Sequence, residues 1–204
     1  LTDMQGGYTK YPCFLCLWDS RDRLHHYNRN EWPLRNTRAP GEKNIKYEPL
    51  VPVQNIMLPP LHVKLGIFKN FVKSLKKDSE PLKILTELFP RISKAKVEEG
   101  VFVAPDLRKM MKSERFQNYL SPSELRAWKA IQRTVVNFLG IYMGYNLMLK
   151  WYFSHLVFLF LCSTGKNRSA YYKEIIVELL TAFQELRVNM SLKIHFLKCN
   201  IEFF

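Results

Sequence analysis

The helical character of this chain is indicated first by residues 61–77, which read LHVKLGIFKNFVKSLKK. Apolar residues recur there at alternating steps of four and three, which places them on one stripe of an α-helix. The stripe consists of Leu61, Leu65, Phe68, Val72 and Leu75. The segment therefore predicts an amphipathic helix that packs on a core.

The same segment carries lysines away from that stripe, with no acidic residue among them: Lys69, Lys73, Lys76 and Lys77. A basic amphipathic helix lies on a membrane, on nucleic acid, or on a core with its charged face in solvent. The last arrangement is the commonest. These lysines are also candidates for contact with phosphate groups.

Outward from this segment, periodicity predicts helices at about 80–89, 91–99, 105–120 and 121–139, and a final one at 169–187. The 121–139 helix has a marked start, because Ser121, Pro122 and Glu124 form a capping box with proline at the first helical position. Val101–Val103 is a candidate short strand.

Residues 1–60 contain many prolines, Pro12, Pro33, Pro40, Pro49, Pro52, Pro59 and Pro60. Each removes a backbone donor and restricts its neighbour, so short strands and ordered loops are expected rather than long helices. The predicted class is α+β and helix-rich. Its predicted regions are a loop and short-strand part (1–60), a bundle-like helical part (61–140), an apolar insertion (141–164) and a C-terminal helical part (165–204).

The strongest global signal is charge, since 31 Lys and Arg against 18 Asp and Glu give a net charge of +13. Such a surface attracts polyanions, and we expect non-specific nucleic-acid binding in the nucleus. Candidate contacts in the N-terminal region are Arg21, Arg23, Arg29 and Arg35, which lie among the rings of Tyr27, Trp32 and Tyr47. A basic protein without a polyanionic partner remains the alternative.

Four cysteines in a chain of this size do not form a disulfide framework and suit a reducing, intracellular compartment. Cys13 and Cys16 have the spacing of a zinc knuckle, and His26 and His195 are candidates to complete the site. His195 and Cys199 are four residues apart, so one helical face could supply the remaining ligands. In a plain strand Cys13 and Cys16 would point to opposite faces and would not share a metal. Buried, inert cysteines are therefore the competing interpretation.

Residues 141–162 hold few ionisable side chains and approach the ~20 residues that span a bilayer. Lys150 near the middle of the segment disfavours insertion, so a buried or foreign segment is favoured over a membrane-associated protein. No secretory signal opens the chain. The first residue, Leu1, is not Met, and we interpret it as a fragment boundary or processed end.

Cys162 and Arg168 fit the C-x5-R loop of cysteine-dependent protein phosphatases, in which the thiolate attacks phosphate and the arginine grips it. Leu161 replaces the usual histidine, and no Asp or Glu lies between Glu124 and Glu174 to act as the general acid. A phosphatase-like enzyme is therefore an alternative to a protein without activity.

Three segments, residues 5–21, 58–66 and 190–197, resemble a family of uncharacterised, multicopy invertebrate proteins that look derived from transposable elements. The family has a more distant resemblance to DDE-type transposases with an RNase H-like fold, which implies a partial domain of that kind here. That resemblance would place Cys13 and Cys16 in its CxxC element and His62 in its histidine element.

Transposases of that group hold divalent metals between carboxylates. Here the chain begins after the expected first acid and ends before the expected glutamate, and residues 58–61 offer no carboxylate ahead of His62. Residues 141–164 have no counterpart in the family resemblance and look like an insertion. The sequence thus predicts a catalytically inactive fragment of a mobile-element-derived protein.

Overall fold

The computed structural model describes residues 4–5, 8–56, 58–140 and 170–199. The chain divides into two compact units. We call residues 1–58 with 189–204 the cysteine unit, and residues 59–188 the helical unit. The C-terminal part that the sequence predicted as one region is therefore shared between the two units.

Helices dominate the described residues. The helical unit contains α1 (Pro60–Ser74), α2 (Glu80–Leu88), α3 (Lys94–Glu98), α4 (Ala104–Met111), α5 (Glu114–Asn118), α6 (Pro122–Thr134), a π-helical turn (Val135–Leu139) and α7 (Tyr172–Glu185). The cysteine unit contains a 3-10 turn (Val53–Asn55) and α8 (Leu192–Cys199). The predicted helix-rich character is confirmed.

The strand component of the predicted α+β class is not confirmed, and neither is the RNase H-like fold. Within the described ranges, β-pairing is limited to the isolated bridges Met4 to Ile45 and Cys16 to Leu34. The candidate strand at 101–103 does not form, because helix ends use its amides. The Val101 N–H donates to the Lys96 carbonyl, and the Val103 N–H donates to the Asp106 carboxylate.

Local capping explains where several helices begin. Ser121 accepts from the Glu124 N–H while the Glu124 carboxylate accepts from the Ser121 N–H at 2.8 Å, as the capping-box sequence predicted. The segment predicted as one helix at 105–120 is two helices. Ser113 interrupts it, because its side chain accepts from the Phe116 N–H and starts α5.

Trp128 on α6 is the centre of the helical unit's core. Its buried ring contacts Phe68 and Phe71 of α1, with centroids 5.6 and 5.5 Å away, and Phe116 of α5 at 5.1 Å. Edge-on and tilted ring pairs of this kind add to the free energy of burial. One large side chain thus joins three helices.

Helices α6 and α7 pack in antiparallel fashion and are joined by matched surface contacts. Arg126 pairs with Glu185 at 2.9 Å, and Arg133 pairs with Glu178 at 2.7 Å, so the numbering rises on one helix as it falls on the other. Exposed pairs contribute little stability, and the buried apolar faces supply most of it.

The buried face of α1 includes most of the predicted stripe and is wider than it. Phe68, Val72 and Leu75 are buried as predicted, whereas Leu61 is 38% exposed. The additional buried residues are Val63, Ile67 and Phe71. This wider face also includes Lys64, whose ammonium donates to the Gly140 carbonyl after the π-helical turn. Because a charged amine is hard to desolvate, burial lowers the pKa of Lys64 from 10.5 to about 8.

This buried amine makes stability depend on pH. Between pH about 8 and 10.5, the unfolded chain holds a proton on Lys64 that the folded chain has lost, so the free energy of unfolding rises with pH through that window. We predict two effects of Lys64→Met. It increases the free energy of unfolding at pH ~7, and it abolishes the dependence of that free energy on pH between about 8 and 10.5. Urea denaturation of both proteins at several pH values measures these effects.

The matched control is Lys69→Met on the exposed face of the same helix, which should leave the pH dependence unchanged. An identical rise in Lys64→Met and in the unsubstituted protein would contradict the assignment to Lys64.

Candidate metal centre

A bend at residues 14–15 settles how the two cysteines of the C-x2-C motif are placed. The backbone does not continue as a plain strand, and the Cys13 and Cys16 thiols therefore turn toward the same point. Pairing of the Leu17 N–H with Pro33 and of the Arg35 N–H with Leu15 holds the segment that follows the bend. Cys13 and Cys16 can therefore face one metal ion, which a plain strand would not allow.

Three side chains converge at this point. One ligand atom each from Cys13, Cys16 and His195 lies within 4.8 Å of the others, and the Cys16 Sγ is 3.2 Å from the His195 Nε2. All three residues are buried, at 0%, 4% and 0% exposure. The two thiols come from the N-terminal bend and the imidazole from α8.

The surroundings favour negative charge on the sulfur of Cys13. The Leu15 N–H donates to the Cys13 Sγ at 3.4 Å. A hydrogen bond from the Cys16 thiol, together with the nearby His195, lowers the pKa of Cys13. That same hydrogen bond, burial and the nearby Cys13 charge raise the pKa of Cys16. The Cys13 sulfur is therefore the hydrogen-bond acceptor, and the Cys16 thiol is the donor.

Trp18 separates the candidate histidines of the cysteine unit. Its ring stacks on His195 with centroids 4.8 Å apart, and it contacts His26 at 4.9 Å. The His26 Nε2 donates to the Asp19 carbonyl at 2.8 Å, so this nitrogen is occupied. Of the two histidines predicted as ligands, the structure brings His195 into the group and leaves His26 outside it.

Arg35 is an interior residue and not a surface cation. It is 5% exposed, and its guanidinium donates to the carbonyls of Tyr11, Cys13 and Lys43. The prediction that Arg35 contacts phosphate is corrected by this burial. Its role is to hold the backbone around Cys13, because a planar fork of donors reaches several carbonyls at once.

Lys198 performs a similar task for α8. Its ammonium donates to the carbonyls of His26, Tyr27 and Arg29 at 2.9, 2.6 and 2.9 Å. This fan of bonds ties the end of α8 to the 26–29 loop. The helix that carries His195 is thereby fixed against the segment that follows the cysteines.

The remaining basic candidates lie on the surface. Arg21, Arg23 and Arg29 are exposed, and the Arg29 guanidinium lies 4.4 Å from the centroid of the Trp32 ring. Lys69 and Lys73 of α1 are exposed too, as are Lys76 and Lys77, which follow the end of α1 at Ser74; we call these four residues the lysine face.

One acidic residue faces the α1 lysines although none lies among them in sequence. Lys73 pairs with Glu99 at 2.7 Å, and this contact, with the charges of Lys69 and Lys77, lowers the pKa of Glu99. Gly100 brings this carboxylate close, because its φ is +64° and an added Cβ would lie 2.7 Å from the Lys69 Cα. The lysine face therefore keeps a net positive charge.

Other predicted features are placed as follows. His62 is exposed at the start of α1 and joins no cluster of metal-binding side chains within the described ranges. The phosphatase-like pair Cys162 and Arg168 and the apolar segment 141–162 lie outside the described residues. Among the helices that are described, none has the length and apolarity needed to cross a bilayer.

Comparison with protein families divides the chain in a similar way. Residues 1–51 are similar to a family described as Domain of unknown function (DUF8703), and residues 60–140 to one described as Domain of unknown function (DUF8704). No curated protein matches the chain, and no solved structure matches it. The gap between the two similarities, residues 52–59, contains the division between the two units.

The role of Arg35 gives a test of how the metal centre is supported. We predict that Arg35→Lys lowers the free energy of unfolding by about 2 kcal/mol, because one ammonium cannot replace a fork that binds three carbonyls. Arg38→Lys is the matched control, since Arg38 makes a single bond to the Phe14 carbonyl. Chemical denaturation measures both, and equal losses would show that Arg35 has no special role.

Proposed function

We propose that this chain is a catalytically inactive, nucleic-acid-binding protein of mobile-element origin whose cysteine unit is held together by a structural zinc ion. The buried group of Cys13, Cys16 and His195 is the observation that carries the proposal. Because the proposed partner is nucleic acid, we infer a nuclear location. The phosphatase-like and membrane interpretations rest on residues outside the described ranges.

The donor set supports zinc. Two thiolates and an imidazole are the ligands of zinc in Cys- and His-based structural sites, whereas magnesium and calcium prefer oxygen. The Leu15 amide, which donates to the Cys13 sulfur, acts as an outer partner of the kind that such ligands have. The burial of all three ligands favours a structural ion, because a catalytic zinc keeps a position open to substrate.

We predict that the purified protein contains about one equivalent of zinc and that Cys13→Ser or His195→Ala removes most of it. Chelation should lower the unfolding temperature, because the binding energy of a structural ion is folding energy. Elemental analysis and thermal unfolding with and without chelator measure these effects. Zinc below ~0.2 equivalents in the unsubstituted protein would remove the site.

Two histidines serve as controls. His25 is exposed and paired with Asp22, so His25→Gln should keep zinc. His26→Gln decides between ligand sets, because the sequence pointed to His26 and the Asp19 carbonyl occupies its Nε2. Retention of zinc in His26→Gln supports the group proposed here.

Nucleic-acid binding is supported by the net charge of +13 and by where that charge lies. Most of the excess is in residues 59–188, which include the exposed lysine face of α1. Arg21, Arg23 and Arg29 add exposed cations in the cysteine unit. A surface that tracks phosphates binds by releasing counterions and without sequence preference.

Mobile-element origin is supported by the resemblance of residues 5–21, 58–66 and 190–197 to a transposable-element-derived family. The family similarity of the helical unit ends at residue 140, which is where the proposed insertion begins. The proposal of inactivity rests on the sequence, in which residues 58–61 supply no carboxylate before His62.

We predict that replacing Lys69, Lys76 and Lys77 with Gln weakens binding to mixed-sequence duplex DNA by roughly tenfold at ~50 mM salt. The slope of log affinity against log salt should fall by up to about 3, because each lost phosphate contact contributes about 0.9. Fluorescence anisotropy across a salt series measures both quantities.

The control replaces three exposed lysines elsewhere in the helical unit, Lys83, Lys112 and Lys129, with Gln. It removes the same charge and should change the slope much less. Equal effects of the two triple variants would assign binding to overall charge, and no binding by the unsubstituted protein would reject the nucleic-acid proposal.

A further inference from the structure

The buried metal group is one ligand short. Cys13, Cys16 and His195 supply three donor atoms, whereas structural zinc is bound by four in a tetrahedron. All three residues are at most 4% exposed, which leaves little access for a water molecule to complete the site. A fourth protein ligand is therefore expected.

Helix α8 presents a suitable side chain one turn after His195. Cys199 follows it by four residues, and residues at that spacing lie on the same helical face. The pattern of two ligands from a knuckle and two from one helix, with three residues between the helical pair, lies within the spacing range of known zinc sites. In this structure the Cys199 thiol stands outside the group of Cys13, Cys16 and His195, so it joins them by turning on α8.

The present contact of Cys199 is weak. Its Sγ donates to the Asn30 carbonyl at 3.5 Å, and thiols are poor donors. By contrast, the nearby alternatives are engaged. The His26 Nε2 donates to the Asp19 carbonyl, and the Asp19 carboxylate contacts Lys10 and the Arg21 N–H. Giving up the Asn30 contact therefore costs Cys199 less than giving up these contacts would cost His26 or Asp19.

The charge around the group supports a third thiolate independently. Arg35 and Lys198 are buried or partly buried cations that donate to carbonyls, and neither pairs with a carboxylate among the described residues. The Arg35 guanidinium donates to the Cys13 carbonyl through two nitrogens, and Lys198 directly precedes Cys199 in α8. Two thiolates only neutralise Zn²⁺, whereas three leave a net negative charge, which these unpaired cations offset.

We propose that Cys199 is the fourth ligand, so that Cys13, Cys16, His195 and Cys199 hold zinc as a Cys3His centre. This inference rests on the zinc site proposed above. Zinc binding turns the Cys199 thiol from Asn30 toward the group and displaces its proton. Lys198, the neighbouring residue, then both anchors the end of α8 and stabilises the thiolate beside it.

Cobalt substitution of the full chain tests the assignment, because the thiolate-to-cobalt charge-transfer band grows with the number of bound thiolates. Cys199→Ser should reduce this band by about a third and weaken metal binding by more than about tenfold. Cys199→His restores a fourth ligand, so it should recover tight binding while keeping the smaller band. That recovery separates a lost ligand from a misfolded unit.

Cys162→Ser is the matched control, and its band should equal that of the unsubstituted protein. An unchanged band in Cys199→Ser, or a loss in Cys162→Ser, would overturn the role of Cys199 while leaving the zinc site intact. Absence of metal from the unsubstituted protein would instead reject the zinc site itself, so the two failures are distinguishable.

Discussion

The cysteine unit depends on closure between parts of the chain that are far apart in sequence. Cys16 and His195 meet at 3.2 Å although 179 positions separate them. Bringing such distant segments together costs chain entropy, and the described residues of this unit form almost no β-ladder and a single α-helix with which to offset that cost. The proposed zinc ion would supply additional free energy at this junction.

Two cations, Arg35 and Lys198, also hold together the distant segments of the cysteine unit. Arg35 fixes the backbone around Cys13, and Lys198 fixes the end of α8 against the loop that follows Trp18. In both cases the positive charge is bonded to carbonyl oxygens within the cysteine unit. Net charge therefore does not translate directly into a nucleic-acid surface, because part of it serves the interior.

The helical unit is organised differently. Its core forms around Trp128, and its helix ends are satisfied by local caps such as Ser113 and Ser121. Burial of apolar area stabilises this core. Its surface is consequently free to carry an excess of lysines, with Glu99 as a partial counter-charge beside α1. This arrangement is compatible with the proposed binding of nucleic acid by the exposed lysines.

The sequence by itself determined the elements that depend on local chemistry. Apolar periodicity located α1, and the capping residues located the start of α6, because both signals act within a few residues. The C-x2-C motif identified the cysteines of the candidate site for the same reason. Periodicity was less informative about the limits of the buried face of α1, since it did not show that Lys64 faces inward and Leu61 outward.

Only the tertiary structure decided the features that depend on distant partners. Whether Cys13 and Cys16 share one side was set by a bend that two long-range hydrogen bonds stabilise: Arg35 donates to the Cys13 carbonyl, and the Pro33 carbonyl accepts from the Leu17 N–H. The choice of His195 over His26, the burial of Arg35 and the approach of Glu99 to Lys73 follow from packing between remote segments. No pattern of neighbouring residues encodes such contacts, because their energies arise only when the chain has folded.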